Sequence, residues 1–131
     1  ASRTARTAHT DIDAPGFGDQ SELRAGPALA TLDAEIASGA RFDFVFIDAD
    51  KVNHKTYLER ALDLSDTGTV IVADNIVRGG AVLDADSQEN SERGIRDMLA
   101  FAETLDAVEM TALQTVGEKG YDGMALVRVL R

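Results

Sequence analysis

The order of apolar and polar positions along the chain predicts at least three buried strands. Apolar runs rich in β-branched or aromatic residues span Phe42–Ile47, Thr69–Ala73 and Met124–Leu130. The first two runs are almost continuously apolar, which is typical of parallel strands that are covered on both faces of a sheet. Weaker strand patterns occur at Ser21–Arg24 and Val108–Leu113. The pattern therefore favours a mostly parallel sheet.

Helical patterns separate these runs. Apolar residues recur on one helical face in three segments, and Gly39 and Gly68 follow the first two, where helices commonly end. The repeated positions are Ala28, Leu29, Leu32 and Ile36, then Tyr57, Leu58, Ala61 and Leu62, and finally Ile95, Met98, Leu99, Ala102 and Leu105. Right-handed crossovers between alternating strands and helices predict an α/β fold with helices on both faces of the sheet. Ligands of such folds bind beyond the carboxyl ends of the strands.

Length and composition predict one domain, residues 1–131, with few kinds of partner. The chain has 131 residues, 44% of them hydrophobic, and 13 Lys+Arg against 23 Asp+Glu give a net charge of −10. Such a charge repels nucleic acids and anionic membranes, so we expect neither as a partner. No cysteine is present, which excludes disulfides and thiolate chemistry. No apolar stretch approaches the ~20 residues of a membrane span, and we expect a cytoplasmic protein.

Acidic and amide side chains directly follow two of the predicted strands. Asp48 and Asp50 come after the first run, and Asp74 and Asn75 come after the second. Neighbouring parallel strands end ~4.8 Å apart, so these oxygen atoms are expected to converge on a hard cation such as Mg²⁺, with Lys51 beside them as a base. The alternative is that Asp48 and Asp74 cap the following helices and that Lys51 is a solvated charge.

Four segments together carry a resemblance to a known family. They are Phe42–Lys51 (FDFVFIDADK), Val70–Asn75 (VIVADN), Gly26–Leu29 (GPAL) and Thr115–Ala125 (TVGEKGYDGMA). In this order and spacing they resemble the cation-dependent, class I S-adenosylmethionine (SAM) O-methyltransferases of the caffeoyl-CoA and catechol types and their bacterial relatives. The resemblance runs from about Ser21 to the C-terminus and implies a Rossmann-like methyltransferase sandwich.

The resemblance also implies a metal centre and a base. By position in the motifs, Asp48, Asp74 and Asn75 would hold a divalent cation, either Mg²⁺ or another ion such as Mn²⁺ or Ca²⁺. Lys51 occupies the place of the general base that takes the proton of the acceptor hydroxyl, so Lys51 and Asp48 are the predicted catalytic residues. The implied acceptor is a small catechol-like or phenolic molecule, since a divalent ion can hold two adjacent hydroxyls and acidify one of them. The family also implies a homodimer.

Three further residues are predicted to bind the methyl donor, SAM. Asp50, the second acid of the DADK motif, would contact SAM, and Ala28 of the GPAL motif would lie near its adenine. The segment His9–Asp13 resembles the strand end whose acid binds the ribose, which makes Asp11 the ribose candidate.

One part of the family pattern is missing from the sequence. Neither the first strand nor the Gly-rich turn that follows it is found, because Gly16–Gly18 has no strand pattern before it and no helical pattern after it. We therefore expect a partial domain from a longer polypeptide, with segments absent before Ala1 and between about Arg6 and Gly16. A naturally truncated remnant is the alternative.

Two other functions remain open at this point. Asp48 and Asp50 fit the Asp-x-Asp signature of haloacid-dehalogenase-type phosphatases, in which the first Asp attacks phosphorus, although the next strand there should end in Ser or Thr. A non-catalytic remnant or scaffold of the methyltransferase fold is the second alternative. His9 and His54 match no ligand spacing and are predicted to be surface residues. Tyr121 and Asp122, just before the last predicted strand, are placed in a turn or near a dimer contact.

Overall fold

The computed structural model describes residues 7–8, 10–12, 16–118 and 120–131. Three α-helices and four β-strands alternate through most of this part of the chain. The helices are α1 (Ala28–Ser38), α2 (His54–Asp63) and α3 (Asn90–Glu103), and the strands are β1 (Phe42–Ile47), β2 (Ser65–Asp74), β3 (Val108–Gly117) and β4 (Gly120–Val129). Short 3₁₀ segments cover Gly18–Gln20, Lys51–Asn53 and Arg78–Leu83. The predicted α/β class is confirmed.

The sheet has the strand order β1-β2-β4-β3. β1 and β2 are parallel, whereas β4 is antiparallel to both β2 and β3. In the part of the chain that the structure describes, the sheet is therefore mixed rather than mostly parallel. The physical reason is the tight connection that pairs Gly117 with Gly120, since a short hairpin can join only antiparallel strands.

One face of the sheet forms the hydrophobic core with the helices. Buried strand residues such as Ile71 and Val127 pack in one cluster with helix residues such as Leu58, Ile95 and Met98. On the edge strand β1, Phe44 and Phe46 are instead 59% and 55% exposed, because alternate strand residues point to opposite faces. Among the described elements, the helices thus cover one face and not both.

Several predicted boundaries needed correction. Ser21–Arg24 is not a strand, while the weak pattern at Val108–Leu113 is part of β3. Gly39 ends α1 in the left-handed conformation (φ 77°), as predicted. Gly68 does not end α2, which finishes at Asp63; Gly68 lies within β2 with φ 97°.

The N-terminal expectations are only partly within the described chain. Residues 10–12 are helical, so the prediction of a strand end at this point is wrong. The gap expected between Arg6 and Gly16 falls partly on residues outside the description, namely His9 and residues 13–15. The surface position predicted for His9 therefore also lies outside the described residues. No helix among the described residues is both long and apolar enough to cross a membrane.

Candidate functional site

The carboxyl ends of β1 and β2 lie side by side at one edge of the sheet. Ile47 and Ala73 are partners in the parallel register; Asp48 directly follows β1, and Asp74 is the last residue of β2. Adjacent parallel strands are ~4.8 Å apart, so the two acids lie at neighbouring strand ends. This register agrees with the sequence prediction that the two motifs lie at one edge of the sheet.

Asp48 and Lys51 form a close ion pair at this edge. Lys51 Nζ donates to Asp48 Oδ1 over 3.0 Å, with the Lys51 side chain 11% exposed and the Asp48 side chain 55% exposed. Neither Asp48 nor Asp74 caps a helix, because the cap positions of the helical segments that follow are Asp50, Asn53 and Val77. Asp74 Oδ1 instead accepts the N–H of the next residue, Asn75. The alternative in which Asp48 and Asp74 serve as helix caps therefore does not agree with the structure.

Asn75 is held in an unusual conformation. Its φ is 62°, in the left-handed region that Asn tolerates better than most residues. Its side-chain Nδ2 donates to Asp122 Oδ2 over 3.2 Å. An amide whose nitrogen is occupied in this way has its oxygen left to face another group, which suits a ligand to a hard cation.

The predicted donor set of Asp48, Asp74 and Asn75 suits a cation that needs few protein ligands. Among the described residues, no group of three or more Asp, Glu, His or Cys side chains is arranged for a metal ion. The predicted set contains only two carboxylates, and its third ligand is an amide oxygen. Oxygen ligands of this kind fit Mg²⁺, which keeps several waters and needs few protein ligands.

Asp50 has both carboxylate oxygens occupied. The Tyr57 hydroxyl donates to Oδ1 over 2.6 Å and Asn53 Nδ2 donates to Oδ2 over 2.5 Å. The hydrogen bond from Tyr57 lowers the pKa of Asp50, so this carboxylate stays charged. Burial, and then the neighbouring Asp50, raises the pKa of Tyr57 to about 12, which keeps its hydroxyl a donor.

His54 occupies the interior between the two strand ends. Its side chain is 0% exposed, so the prediction of a surface histidine is wrong. Nδ1 lies 3.3 Å from the carbonyl oxygen of Asp50, and Nε2 lies 3.3 Å from that of Asp74. Burial lowers the pKa of His54. The sequence contains no ligand spacing that would have revealed the burial of His54. The one available signal is that His54 lies three residues before Tyr57, so both side chains fall on the same, buried side of α2.

An apolar cavity of about 260 Å³ opens beside Asp48. Its lining comes from the start of α1, the end of β1 and the inner side of α2, and includes Ala28, Leu32, Phe46, Ala49 and Tyr57. Small-molecule sites usually measure ~300–1,000 Å³, so this cavity would take part of a cofactor, and its apolar walls suit an aromatic ring. Ala28 and Asp48 are thus brought together, whereas Asp50 reaches the cavity only through its bond to Tyr57.

Asp11 is the least supported of the predicted site residues. It is exposed and lies in the helical stretch 10–12, not at the end of a strand. The structure places it neither in the cavity beside Asp48 nor among the bonds around Asp74. Its role in binding ribose stays a prediction.

A model of the O-methyltransferase family matches residues 2–130 of the chain. The chain belongs to this family. It is 45% identical over 126 residues to the catechol O-methyltransferase of Niastella koreensis, a match that covers 95% of this chain and 57% of the relative. The O-methyltransferase chain therefore spans a little over half the length of that curated relative.

Solved structures show the same fold. The O-methyltransferase from Bacillus cereus in complex with SAH superposes with a TM-score of 0.92 at 43% identity, over 98% of this chain and 60% of that one. TomG from Streptomyces achromogenes, an O-methyltransferase in complex with SAM, gives a TM-score of 0.94 at 38% identity, over 99% of this chain and 59% of that one. The predicted Rossmann-like methyltransferase fold is confirmed, and the phosphatase alternative is not favoured.

Proposed function

We propose that the protein transfers a methyl group from SAM to one hydroxyl of a small catechol-like or phenolic acceptor, with a divalent cation bound. One observation supports this most strongly: the parallel register ends β1 and β2 together, which puts Asp48 and Asp74 at neighbouring strand ends, and Asp48 also lines the apolar cavity. The name of the Niastella koreensis relative, a catechol O-methyltransferase, favours the same acceptor class.

The proposed roles follow from the positions of the side chains. Asp48, Asp74 and the amide oxygen of Asn75 would hold Mg²⁺ or a similar ion, and the cavity lined by Ala28 would hold the adenine end of SAM. When bound, the cation lowers the pKa of an acceptor hydroxyl and SAM supplies the methyl group. Asp50, kept charged by its bond to Tyr57, would orient the methyl donor.

Lys51 is the proposed proton acceptor. In the structure its ammonium donates to Asp48, one of the proposed ligands. Its place beside Asp48 would put the amine within reach of the acceptor hydroxyl whose proton it takes, and its low exposure limits competing water.

The test uses the full-length protein with SAM, Mg²⁺ and catechol, and detects the methylated product by mass spectrometry. We expect turnover that EDTA abolishes and that excess Mg²⁺ restores. Asp74→Ala should remove turnover, whereas Asp97→Asn, which changes an exposed acid on α3, should leave it intact. Turnover that survives complete chelation contradicts the metal mechanism, and hydrolysis of p-nitrophenyl phosphate instead would revive the phosphatase alternative.

We also propose that the full-length protein is a cytoplasmic homodimer. In favour of the dimer, Leu113 and Val116 on β3 are 50% and 83% exposed, and apolar side chains of this kind are common at subunit contacts. Light scattering at micromolar concentration should give twice the protomer mass. A monomer contradicts the proposal.

A further inference from the structure

Asp122, the third residue of β4, is a centre of hydrogen bonds at the candidate site. Its Oδ1 accepts three backbone N–H groups, from Val77 at 3.1 Å, Arg78 at 2.8 Å and Gly123 at 2.9 Å. Its Oδ2 accepts the side-chain Nδ2 of Asn75 at 3.2 Å. The two carboxylate oxygens of Asp122 therefore differ in their partners: Oδ1 bonds to backbone N–H groups, and Oδ2 bonds to the side-chain amide of Asn75.

The topology explains why a residue near the C-terminus reaches this place. β4 runs antiparallel to β2, and Asp74 is paired with Met124. The residues that enter β4 consequently lie at the same edge of the sheet as the residues that leave β2. Ile76 N donates to Gly123 O over 3.0 Å, which adds a backbone bond between the two segments.

The segment that Asp122 holds is strained. Asn75 and Arg78 both have positive φ, 62° and 52°, although neither is glycine. Such conformations persist only where surrounding bonds maintain them. Tyr121 supports the same segment, because its hydroxyl donates to Gly79 O over 2.5 Å.

We propose that Asp122 is a positioning residue that turns the amide of Asn75 so that its oxygen faces the cation. This inference rests on the proposed function, in which Asn75 is a ligand. A carboxylate can only accept hydrogen bonds, so it selects the NH₂ side of the amide. The Asn75 oxygen is thereby left without a bond to Asp122, and the proposal assigns it to the cation held with Asp48 and Asp74.

The substitution Asp122→Asn tests this orientation with almost no change of shape. Three backbone N–H groups require an acceptor at the Oδ1 position, so the new amide must place its oxygen there and its NH₂ toward Asn75. Two NH₂ groups cannot bond to each other. The Asn75 amide would turn over, and its nitrogen would then face the cation and repel it.

A second variant reverses the arrangement at unchanged net charge. In the double variant Asn75→Asp, Asp122→Asn, the NH₂ at position 122 can donate to one carboxylate oxygen at position 75. The other carboxylate oxygen is then available to the cation. If Asp122 had a purely structural role, the double variant should not recover cation binding. The carboxylate that accepts the backbone N–H groups would still be missing from position 122.

The experiment measures the binding of Mn²⁺ alone to the full-length protein by electron paramagnetic resonance. We expect Asp122→Asn to weaken Mn²⁺ binding by roughly 10–100-fold, as is usual when the partner of a metal ligand is lost. The double variant should regain most of the affinity. SAM affinity, measured by calorimetry, should change in neither variant, and Asp97→Asn should bind Mn²⁺ as the wild type does.

The outcomes separate this inference from the proposed function. Wild-type affinity in Asp122→Asn, while Asp74→Ala has lost binding, overturns the role of Asp122 and leaves the metal site in place. A double variant that keeps the wild-type melting temperature and fails to regain Mn²⁺ also overturns it. Equal Mn²⁺ binding by the wild type and Asp74→Ala overturns the metal site itself, and the inference with it.

Discussion

Nε2 of His54 lies 3.3 Å from the carbonyl oxygen of Asp74. The other ring nitrogen is 3.3 Å from the carbonyl oxygen of Asp50, and the side chain has no exposed surface. One buried imidazole thus spans the segments that follow β1 and β2. Because carbonyl oxygens only accept, a neutral ring can donate to just one of them at a time.

The burial of His54 predicts a pH-dependent stability. Burial lowers the pKa of folded His54 below its ordinary value of 6.5, while the unfolded chain keeps the ordinary pKa. Below pH 6.5 the unfolded state therefore binds more protons, and stability falls as the pH falls toward the lowered folded value. Above pH 6.5 the ring is neutral in both the folded and the unfolded state, so the titration of His54 causes no loss of stability there.

Urea unfolding between about pH 5 and 8 measures the effect. The His54→Gln variant should lose stability less steeply on acidification than the wild type, because it lacks the titrating ring. All other titrating groups are shared, so the difference between the two curves isolates His54. Parallel curves would show that His54 does not titrate differently in the folded state.

Gly94 allows α3 to pack directly on the turn that contains Lys51. A Cβ at position 94 would overlap the carbonyl oxygen of Lys51 and would lie 2.8 Å from Val52 Cα. We expect Gly94→Ala to cost about 1–3 kcal/mol of unfolding free energy through this overlap, and to lower kcat as Lys51 moves. Gly117→Ala is the matched control, since nothing lies within 4 Å of its Cβ position. Equal melting temperatures for the two variants would contradict the prediction.

The two tyrosine hydroxyls at the site predict separable effects. Tyr57 donates to Asp50, the proposed SAM contact, whereas Tyr121 donates to Gly79 in the segment after Asn75. Tyr57→Phe should weaken SAM binding by about 0.5–1.5 kcal/mol, the usual net value of one hydrogen bond. Tyr121→Phe should leave SAM affinity unchanged. Calorimetric titration with SAM compares them, and equal losses in both variants would argue against a role of Asp50 in donor binding.

Lys51 can be tested against a lysine that is nearby in sequence. Lys51→Ala should reduce kcat by about 10²–10⁴-fold, the usual contribution of a general base, with little change in SAM affinity. Lys55→Ala is the control, because Lys55 is exposed, pairs with Glu59 and lies 5.3 Å from the ring centre of Phe101. Steady-state kinetics with catechol decides, and full activity of Lys51→Ala would exclude Lys51 as the base.

Sequence patterns predicted the elements whose signals are local. The continuous apolar runs located β1 and β2 because strands of this kind have no polar face, and the acids directly after them located the shared edge. Gly39 marked the end of α1 since a left-handed residue is needed there. These features depend on a few neighbouring residues, which is why they could be predicted without a structure.

The remaining features depend on contacts distant in the sequence. Asp122 is 47 positions from Asn75, and only the antiparallel pairing of β4 with β2 brings the two side chains together. A mostly parallel sheet would have put the start of β4 at the opposite edge. His54 was misplaced for a similar reason, because its burial depends on the close approach of two strand ends.

The left-handed backbone conformation of Asn75 restricts which residues can replace it. The proposed task needs a short side chain with an oxygen, and the backbone needs a residue that accepts positive φ. Glycine satisfies the backbone alone, and glutamine supplies an oxygen on a longer side chain without easing the backbone. Aspartate meets both demands, but beside Asp122 it brings a second negative charge. Almost no single substitution at position 75 would therefore preserve the function unless position 122 changes as well. The two positions are expected to evolve as a pair.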